Sequence, residues 1–333
     1  MRFNSLKFLK FFLKTSIYGI VLFWSAGILA NNSDYVISNY PESITVPGLI
    51  FDKPFKHQEF RVLYHHRNDS PSLLSMVISL QNFSDKTEKI ELKAGIGGST
   101  KDVIFAGHIA ARSYLAQYVD KGKDLTLPPK STTYILSHDI KPTQTSSGIV
   151  HFLRKSKHDL LRVKMGVVDQ LFPHLSAFRD ISSSLDQYRV GHFKDSIRKK
   201  RVFFDFKNKI TSFEIGGKPY FVDQQINYEL IGNYGVLHAF ELALFNSLNS
   251  VKKVHFYLAP KKKNAVDRAV FLIDNALVEV GVSYEKDDVV AMQKFYSLIV
   301  EPGSKKEISL LTIPQAGCYY PVDVIIRVEE DSL

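Results

Sequence analysis

Short stretches in which apolar residues occupy every second position run through most of the chain and predict β-strands. One of them extends from Leu74 to Gln81. The turn-forming residues Asn82 and Asp85 follow it, and the segment 89–93 then returns as a partner strand. The pattern predicts a hairpin-like unit with one buried face.

This arrangement of strand, turn and strand occurs twice in the chain. The segment 78–82, ISLQN, returns as 242–246, LALFN, with an offset of 242 − 78 = 164. The segment 125–131 matches 298–304 with an offset of 298 − 125 = 173. An internal repeat of alternating segments around Asn and Pro turns predicts two copies of one β module.

Many short strands with little sustained helical periodicity predict a mostly β fold, with two tandem immunoglobulin-like β-sandwich modules related by internal duplication. A closed sheet is the alternative architecture. The predicted organisation is a signal peptide at 1–30, an N-terminal approach segment at 31–58, a first module at 59–153, a mixed ordered connector at 154–227 and a second module at 228–333.

Within the predicted connector, the spacing of Leu185, Tyr188 and Ile197 predicts a helix over Ser182–Lys200. The remainder of the connector contains further strand-like stretches. It is too apolar for a flexible linker, so we expect it to dock on one or both modules.

The N-terminus is typical of an export signal. The first 14 residues carry four basic and no acidic residues, and the uncharged, largely apolar run 15–30 follows. That run is short for a membrane span of about 20 residues and better suits the apolar region of a signal peptide. We predict cleavage near Ala30 and export to the periplasm or cell surface, with an uncleaved anchor as the alternative.

Two parts of the chain resemble an exported bacterial protein family of unknown function that is best represented in cyanobacteria. The segment Ile231–Val236, IGNYGV, and the strands that follow it are similar to the C-terminal half of that family, and Glu59–His66, EFRVLYHH, is similar to its N-terminal half. Gly-Asn-Tyr-Gly is the most specific part, whereas the basic segment 198–201 departs from the pattern. The resemblance implies export and a tandem arrangement, and it implies no catalytic residues.

The His65-His66 pair and a glycine-rich segment are the most tempting candidates for chemistry. Neighbouring side chains on a strand point to opposite faces, so the two histidines cannot chelate one metal together. A metal site would need His108 or His138 as a distant partner. The segment 95–101, GIGGSTK, lacks a Lys directly after its last Gly, so it does not fit a phosphate loop, and we expect a flexible connection there.

The remaining candidates are weaker. Cys318 is the only cysteine, so an intrachain disulfide cannot form, and its turn-like surroundings do not indicate a nucleophile. Tyr319-Tyr320 is the most probable exposed aromatic pair. Gly232 and Gly235 indicate a backbone requirement at the entrance of a strand.

The net charge of the chain excludes few classes of partner. Removing four basic residues with the leader leaves 43 − 4 = 39 basic against 34 acidic residues, a net charge of +5. The basic runs 198–201 and 261–263 are expected to be solvated loops, with weak attraction to anionic surfaces as the alternative. Export makes nucleic acid an implausible partner.

The sequence therefore predicts an exported, non-enzymatic binding or scaffold protein of the bacterial cell envelope. We predict no catalytic, cofactor-binding or metal-binding residue and no cofactor, and the envelope partner, a polymer or a protein, is unidentified. An enzyme acting on envelope polysaccharide or peptidoglycan through an inter-module cleft is one alternative. A secreted adhesin-like module is the other.

Overall fold

The computed structural model of the chain describes residues 33–40, 42–55, 57–155, 161–171, 173–174, 190–194, 196–223, 226–261, 267–282 and 292–330. The predicted signal peptide and the part of the predicted connector helix at 182–189 lie outside the described residues. The described chain is mostly β, as the alternating pattern predicted, with an α-helix, α1, at Val103–Tyr118 and a short 3-10 helix at Phe206–Asn208.

Two sheets, A and B, form a first sandwich. Its strands are β1 Ser33–Ser38, β2 Ser43–Ile44, β3 Gly48–Phe55, β4 Glu59–Asn68, β5 Leu74–Asn82, β6 Glu88–Thr100, β7 Lys123–Leu127, β8 Thr132–Ile140, β9 Thr145–Arg154, β10 Leu161–Val168 and β11 Val190–Lys194. Sheet A has the order β11-β1-β4-β9-β6-β7, with β2 beside β4, and sheet B has the order β3-β10-β5-β8. β1 runs parallel to β4.

Two further sheets, C and D, form a second sandwich. Its strands are β12 Ile197–Asp205, β13 Ile210–Ile215, β16 Leu237–Phe245, β17 Lys252–Pro260, β18 Asp267–Ile273, β19 Ala276–Val282, β20 Gln293–Val300, β21 Lys305–Thr312 and β22 Val322–Val328. Sheet C has the order β12-β16-β21-β18-β19 and sheet D the order β13-β22-β17-β20. A small ribbon, β14 Val222–Asp223 with β15 Tyr228–Glu229, precedes β16.

Each sandwich encloses its own core, because alternate residues of facing strands point inward. In the first, Ile78 and Leu80 of β5 lie in one buried cluster with Val62 of β4. In the second, Phe256 of β17 lies in one buried cluster with Leu242 of β16. The cores therefore follow the apolar alternation of the sequence.

The two sandwiches agree in strand order, in the parallel first pair and in register. The order β1-β4-β9-β6-β7 corresponds to β12-β16-β21-β18-β19, and β3-β10-β5-β8 corresponds to β13-β22-β17-β20. The first pair of each larger sheet, β1 with β4 and β12 with β16, is parallel. A register shift lies between Ile78 and Ser79 in β5 and between Phe256 and Tyr257 in β17, so the offset is 256 − 78 = 178.

An asparagine at a strand end makes the same bonds at equivalent points. The Asn68 amide donates to the backbone oxygens of Ser72, at 2.8 Å, and Ile140, at 2.7 Å. The amide of Asn246, at 68 + 178 = 246, donates to the oxygen four residues on and to that of Val300, both at 2.9 Å. The predicted pairing of 78–82 with 242–246 is therefore wrong as a correspondence of strands. The predicted partner of 74–81 is wrong as well, because β5 pairs with β10 and β8, whereas 89–93 belongs to β6 of the other sheet.

Both sandwiches extend beyond their predicted limits. In the first, β1 and β3 come from the predicted approach segment, and β10 and β11 come from the predicted connector. In the second, β12 and β13 come from the predicted connector. The helix predicted over Ser182–Lys200 is wrong for its described part, because 190–194 is strand β11 and 197–200 belongs to β12. Partner strands β1 and β16 pair with these residues, and pairing overrides a weak helical spacing.

Candidate functional site

An open groove lies on the outer face of sheet B, where β10, β5 and β8 run side by side. Its volume is about 490 Å³, within the roughly 300–1,000 Å³ of ligand sites. Val77 lies in its floor beside Gly166, which has no side chain, and Ser75 lies between Val168 and Asp139. The flat floor follows from small residues at outward positions of neighbouring strands.

One side of the groove carries an exposed aromatic ring among polar groups. Tyr134 is 47% exposed, and its ring centroid lies 6.3 Å from that of His174, with the planes 39° apart. The Asp139 carboxylate accepts a hydrogen bond from the Ser75 hydroxyl, and Asp169 lies on the segment that follows β10. No lysine or arginine occurs among the described residues that line the groove.

The same positions of the second sandwich have different chemistry. Tyr134 is opposite Ser79 on β5, and the corresponding position, opposite Tyr257 on β17, is Lys294. The position that corresponds to Asp139 is Ile299, which is 63% exposed. The aromatic ring and the carboxylate at these two positions are therefore particular to the first sandwich. The sequence reasoning missed it, since outward residues of a strand carry no local signal.

The second candidate is a buried polar cluster where the sandwiches meet. Arg61 of β4 is fully buried. Its guanidinium donates to the Gly235 carbonyl at 3.0 Å and to the Ser196 hydroxyl at 2.8 Å, and it lies 3.4 Å from the Glu59 carboxylate. The Tyr35 hydroxyl nearby donates to a backbone oxygen of the second sandwich. Arg61 therefore joins the two sandwiches and the chain between them.

The charges of this cluster compensate one another. Burial alone would raise the pKa of Glu59, but the hydrogen bond from His151 and the charges of His151 and Arg61 lower that pKa to about 2. His151 Nε2 lies 2.8 Å from Glu59, and its Nδ1 lies 3.0 Å from the Tyr114 hydroxyl. Burial lowers the pKa of His151. Closed pairing of this kind is typical of a structural contact.

Apolar side chains surround the polar cluster at the junction. From the first sandwich, Leu63 and Ile149 are 1% exposed; from the second, Val236 and Ile313 are fully buried, and all four belong to one cluster. Glu59 is the carboxylate in this contact, and it is already paired. The alternative of an inter-module cleft with two facing carboxylates has no support from these residues.

The glycine-rich segment lies under helix α1. Residues 95–100 belong to strand β6, so the expectation of a flexible connection is wrong. A β-carbon on Gly95 would lie 2.0 Å from the Ala110 oxygen, and one on Gly97 would lie 1.7 Å from the Ala106 oxygen. These glycines let the helix approach the strand closely.

The histidines lie apart and have separate partners. His66 Nε2 lies 2.9 Å from the Ser38 hydroxyl, and His138 Nε2 lies 2.5 Å from the hydroxyl of Ser146. Ser146 is fully buried, so this serine–histidine pair is closed to a substrate. His108, on α1, binds the second sandwich through Glu279, at 2.7 Å. No group of three or more His, Cys, Asp or Glu side chains among the described residues is placed to hold a metal.

The Gly-Asn-Tyr-Gly segment does meet a backbone requirement. Gly232 and Gly235 have φ of 88° and 74°, and they come just before β16. A β-carbon on Gly235 would lie 1.9 Å from the Tyr35 hydroxyl oxygen. The segment therefore serves the junction rather than an exposed loop.

The other sequence candidates are structural. Cys318 is buried, 3.2 Å from the Gln315 amide nitrogen. Tyr319 is 45% exposed whereas Tyr320 is buried, so one of the predicted exposed pair lies in the core. The basic run at 198–201 belongs to edge strand β12 instead of a loop, and charged residues on an edge discourage pairing with other chains. Of the run 261–263, only the first residue is described.

The described part of the chain contains no helix that is long and apolar enough to cross a membrane.

Comparisons with known proteins give weak similarities. No family model matches the chain. No curated protein matches it significantly. The CBM22-1-CBM22-2 tandem domain of Xyn10C from Paenibacillus barcinonensis is 8% identical over 87% of this chain and 92% of that one, with a TM-score of 0.18. The CUB1-EGF-CUB2 domains of rat MASP-1 are 8% identical over 86% and 99%, with a TM-score of 0.21. Scores this low carry no argument about fold or function.

Proposed function

We propose that the chain is an exported, non-enzymatic protein of the bacterial cell envelope that binds or scaffolds an envelope component. In this proposal its two sandwiches are immunoglobulin-like modules that arose by internal duplication. Shared strand order, register shift and asparagine turn support the duplication.

The observation that carries the proposal is the contrast between a closed junction and an open groove. At the junction, the buried side chains of Arg61 and His151 are paired with the largely buried carboxylate of Glu59. The groove on sheet B instead exposes an aromatic ring and carboxylates. Exposed rings with nearby polar groups are typical of binding surfaces.

Export rests on the basic leader and on the apolar run that follows it. With one cysteine the exported chain has no intrachain disulfide, so its stability depends on packing and hydrogen bonds. The envelope partner is a polymer or a protein.

Cell fractionation tests the proposal. We expect the processed chain, shorter by about 30 residues as in signal cleavage, in the periplasm or on the cell surface, where affinity capture from envelope extract recovers a partner. Recovery from culture fluid would favour the adhesin-like alternative. The proposal fails if the chain stays in the cytoplasm, or if the purified protein shows hydrolytic or redox turnover that one side-chain change abolishes.

A further inference from the structure

We infer that the groove on sheet B binds a neutral oligosaccharide. The inference rests on the proposed envelope function, and it names the class of ligand for this one surface. It depends on the ring of Tyr134, the carboxylates of Asp139 and Asp169, and the flat floor at Ser75 and Val77.

The ring provides the apolar part of the recognition. A pyranose has a C–H face that packs on an aromatic ring, and the 47% exposure of Tyr134 leaves its ring accessible to such a face. His174, 6.3 Å away, borders the ring on one side and is tilted against it. The two rings therefore form an open surface that a sugar face can cover. An organic cation is typically bound by aromatic rings on several sides, which this pair does not provide.

The polar side chains around the Tyr134 ring can form hydrogen bonds with the hydroxyl groups of a sugar. Hydroxyl groups donate well to carboxylates, and charge-assisted bonds of this kind are stronger than neutral ones. Asp139 and Asp169 supply such acceptors, whereas the Gln170 amide and the Ser137 hydroxyl can both donate and accept. The described lining carries these two carboxylates and no lysine or arginine, which disfavours an anionic ligand.

The groove is open and elongated, which fits a chain of sugars better than a single ring. From Ser75 to Ser79, the residue opposite Tyr134, β5 advances by four residues, or about 13 Å. The outward residues of β5 over this length are Ser75, Val77 and Ser79, which have short side chains. The length suits a short oligosaccharide better than a single sugar.

The second sandwich supplies a natural control. Lys294 and Ile299 occupy the positions of Tyr134 and Asp139, so neither the ring nor the carboxylate recurs at these two positions. Tyr319, also in the second sandwich, is 45% exposed. Its exposure nearly equals that of Tyr134, so Tyr319→Ala is a matched control for Tyr134→Ala.

Isothermal titration calorimetry of the mature protein tests the inference with a fixed panel of probes: cellotetraose, maltotetraose, xylotetraose, mannotetraose and chitotetraose. We expect binding of at least one of them. Tyr134→Ala should weaken it by about tenfold or more through loss of stacking. Asp139→Asn should weaken it by about fivefold. Tyr319→Ala should leave it unchanged, and urea midpoints of the variants should match the wild type, since these side chains are exposed.

Three results would overturn the inference: no probe binds, binding persists in Tyr134→Ala, or tetramethylammonium binds through Tyr134 while the sugars do not. A pull-down on insoluble envelope polysaccharide shows whether a protein that binds the soluble probe also binds a polymer. Localisation and partner capture are measured on the wild-type protein in parallel. If both agree with the proposed function while the wild-type protein binds none of the sugar probes, the groove inference falls and the envelope function stands; cytoplasmic localisation would remove the envelope function instead.

Discussion

The first and second sandwiches have the same strand framework but use their larger sheets differently. The outer face of sheet A is covered by helix α1 and the second sandwich, and Leu63 there is 1% exposed. The corresponding residue of sheet C, at 63 + 178 = 241, is an exposed glutamate, and Phe203 on the same sheet is 65% exposed. Outward residues, rather than strand order, therefore decide which sheet accepts a neighbour.

The connection between equivalent strands shows the same division. Between β6 and β7 the first sandwich inserts α1, whereas Asp274 and Asn275 suffice between β18 and β19. Both turn residues have positive φ, 45° and 69°, a conformation that Asp and Asn tolerate better than most residues. The helix then supplies contacts to the second sandwich through His108 and Arg112. The helix that only the first sandwich has at this point therefore forms part of the junction.

Replacing Arg61 should have the largest effect on stability. At the equivalent position, 61 + 178 = 239, the second sandwich has an alanine, so Arg61→Ala makes the two alike. The change leaves Glu59 buried beside His151 without its guanidinium partner, and we expect a loss of about 3–5 kcal/mol in the free energy of unfolding. Urea denaturation measures it.

The control for Arg61→Ala is an arginine outside the junction. Arg201, on β12, is 66% exposed and lies 3.6 Å from Glu307. Arg201→Ala should change the free energy of unfolding by less than about 1 kcal/mol. Equal losses in the two variants would contradict the structural role of Arg61.

Adding one methyl group under α1 should have the next largest effect. In Gly97→Ala the new carbon would lie 1.7 Å from the Ala106 backbone oxygen, so the helix must move. We expect this movement to lower the free energy of unfolding by about 1–3 kcal/mol. Gly98→Ala is its control, because a β-carbon there meets nothing within 4 Å. Thermal unfolding followed by circular dichroism separates the two, and a Gly97→Ala variant as stable as Gly98→Ala would show that the helix does not pack there.

The three asparagine turns should contribute similarly to the free energy of unfolding in both sandwiches. Asn68→Ala, Asn82→Ala and Asn246→Ala each remove a buried amide and its bonds to the following turn and to a strand end, and we expect a loss of about 1–2 kcal/mol in the free energy of unfolding for each. Exposed Asn249→Ala is the control. A loss of stability in the variants of only one sandwich would show that the turns of the two sandwiches are not equivalent.

Acid should weaken both sandwiches through a buried histidine in each. Burial lowers the pKa of His238 to about 3 and that of His65 to about 4, from 6.5. The unfolded chain then binds protons that the folded chain does not, so stability is full above pH 6.5 and falls as the pH decreases towards these values.

The slope of stability against pH measures this effect. His238→Gln should make the loss between pH 6 and 4 shallower by about 1 kcal/mol per pH unit. Exposed Asn249→Ala, which removes no titratable group, should leave the slope unchanged. A slope unaffected by His238→Gln would mean that another group takes up the proton.

The strands could be predicted from the sequence because alternation of apolar residues follows directly from the geometry of a half-buried strand. The sequence could not predict which strands of the two sandwiches correspond. Asn82 makes the same kind of turn as Asn68 and Asn246, with its amide donating to the Lys86 and Leu127 oxygens. A short match around Asn82 therefore found a turn that recurs three times, whereas strand position depends on distant pairing.

The junction and the groove escaped prediction for a related reason. Arg61 and Glu59 look like solvated charges on a strand, and only the arrival of Gly235 from the second sandwich buries them. Tyr134 looks like any outward residue until the segment of His174 lies beside it. Sites built from contacts distant in sequence leave no local spacing to detect.

Differential scanning calorimetry of the mature wild-type protein tests the central claim, that the buried junction joins the two sandwiches into one unit. We predict a single transition whose calorimetric and van't Hoff enthalpies agree, because neither sandwich can unfold without exposing the Arg61 cluster. Two separate transitions in the wild type would contradict the account.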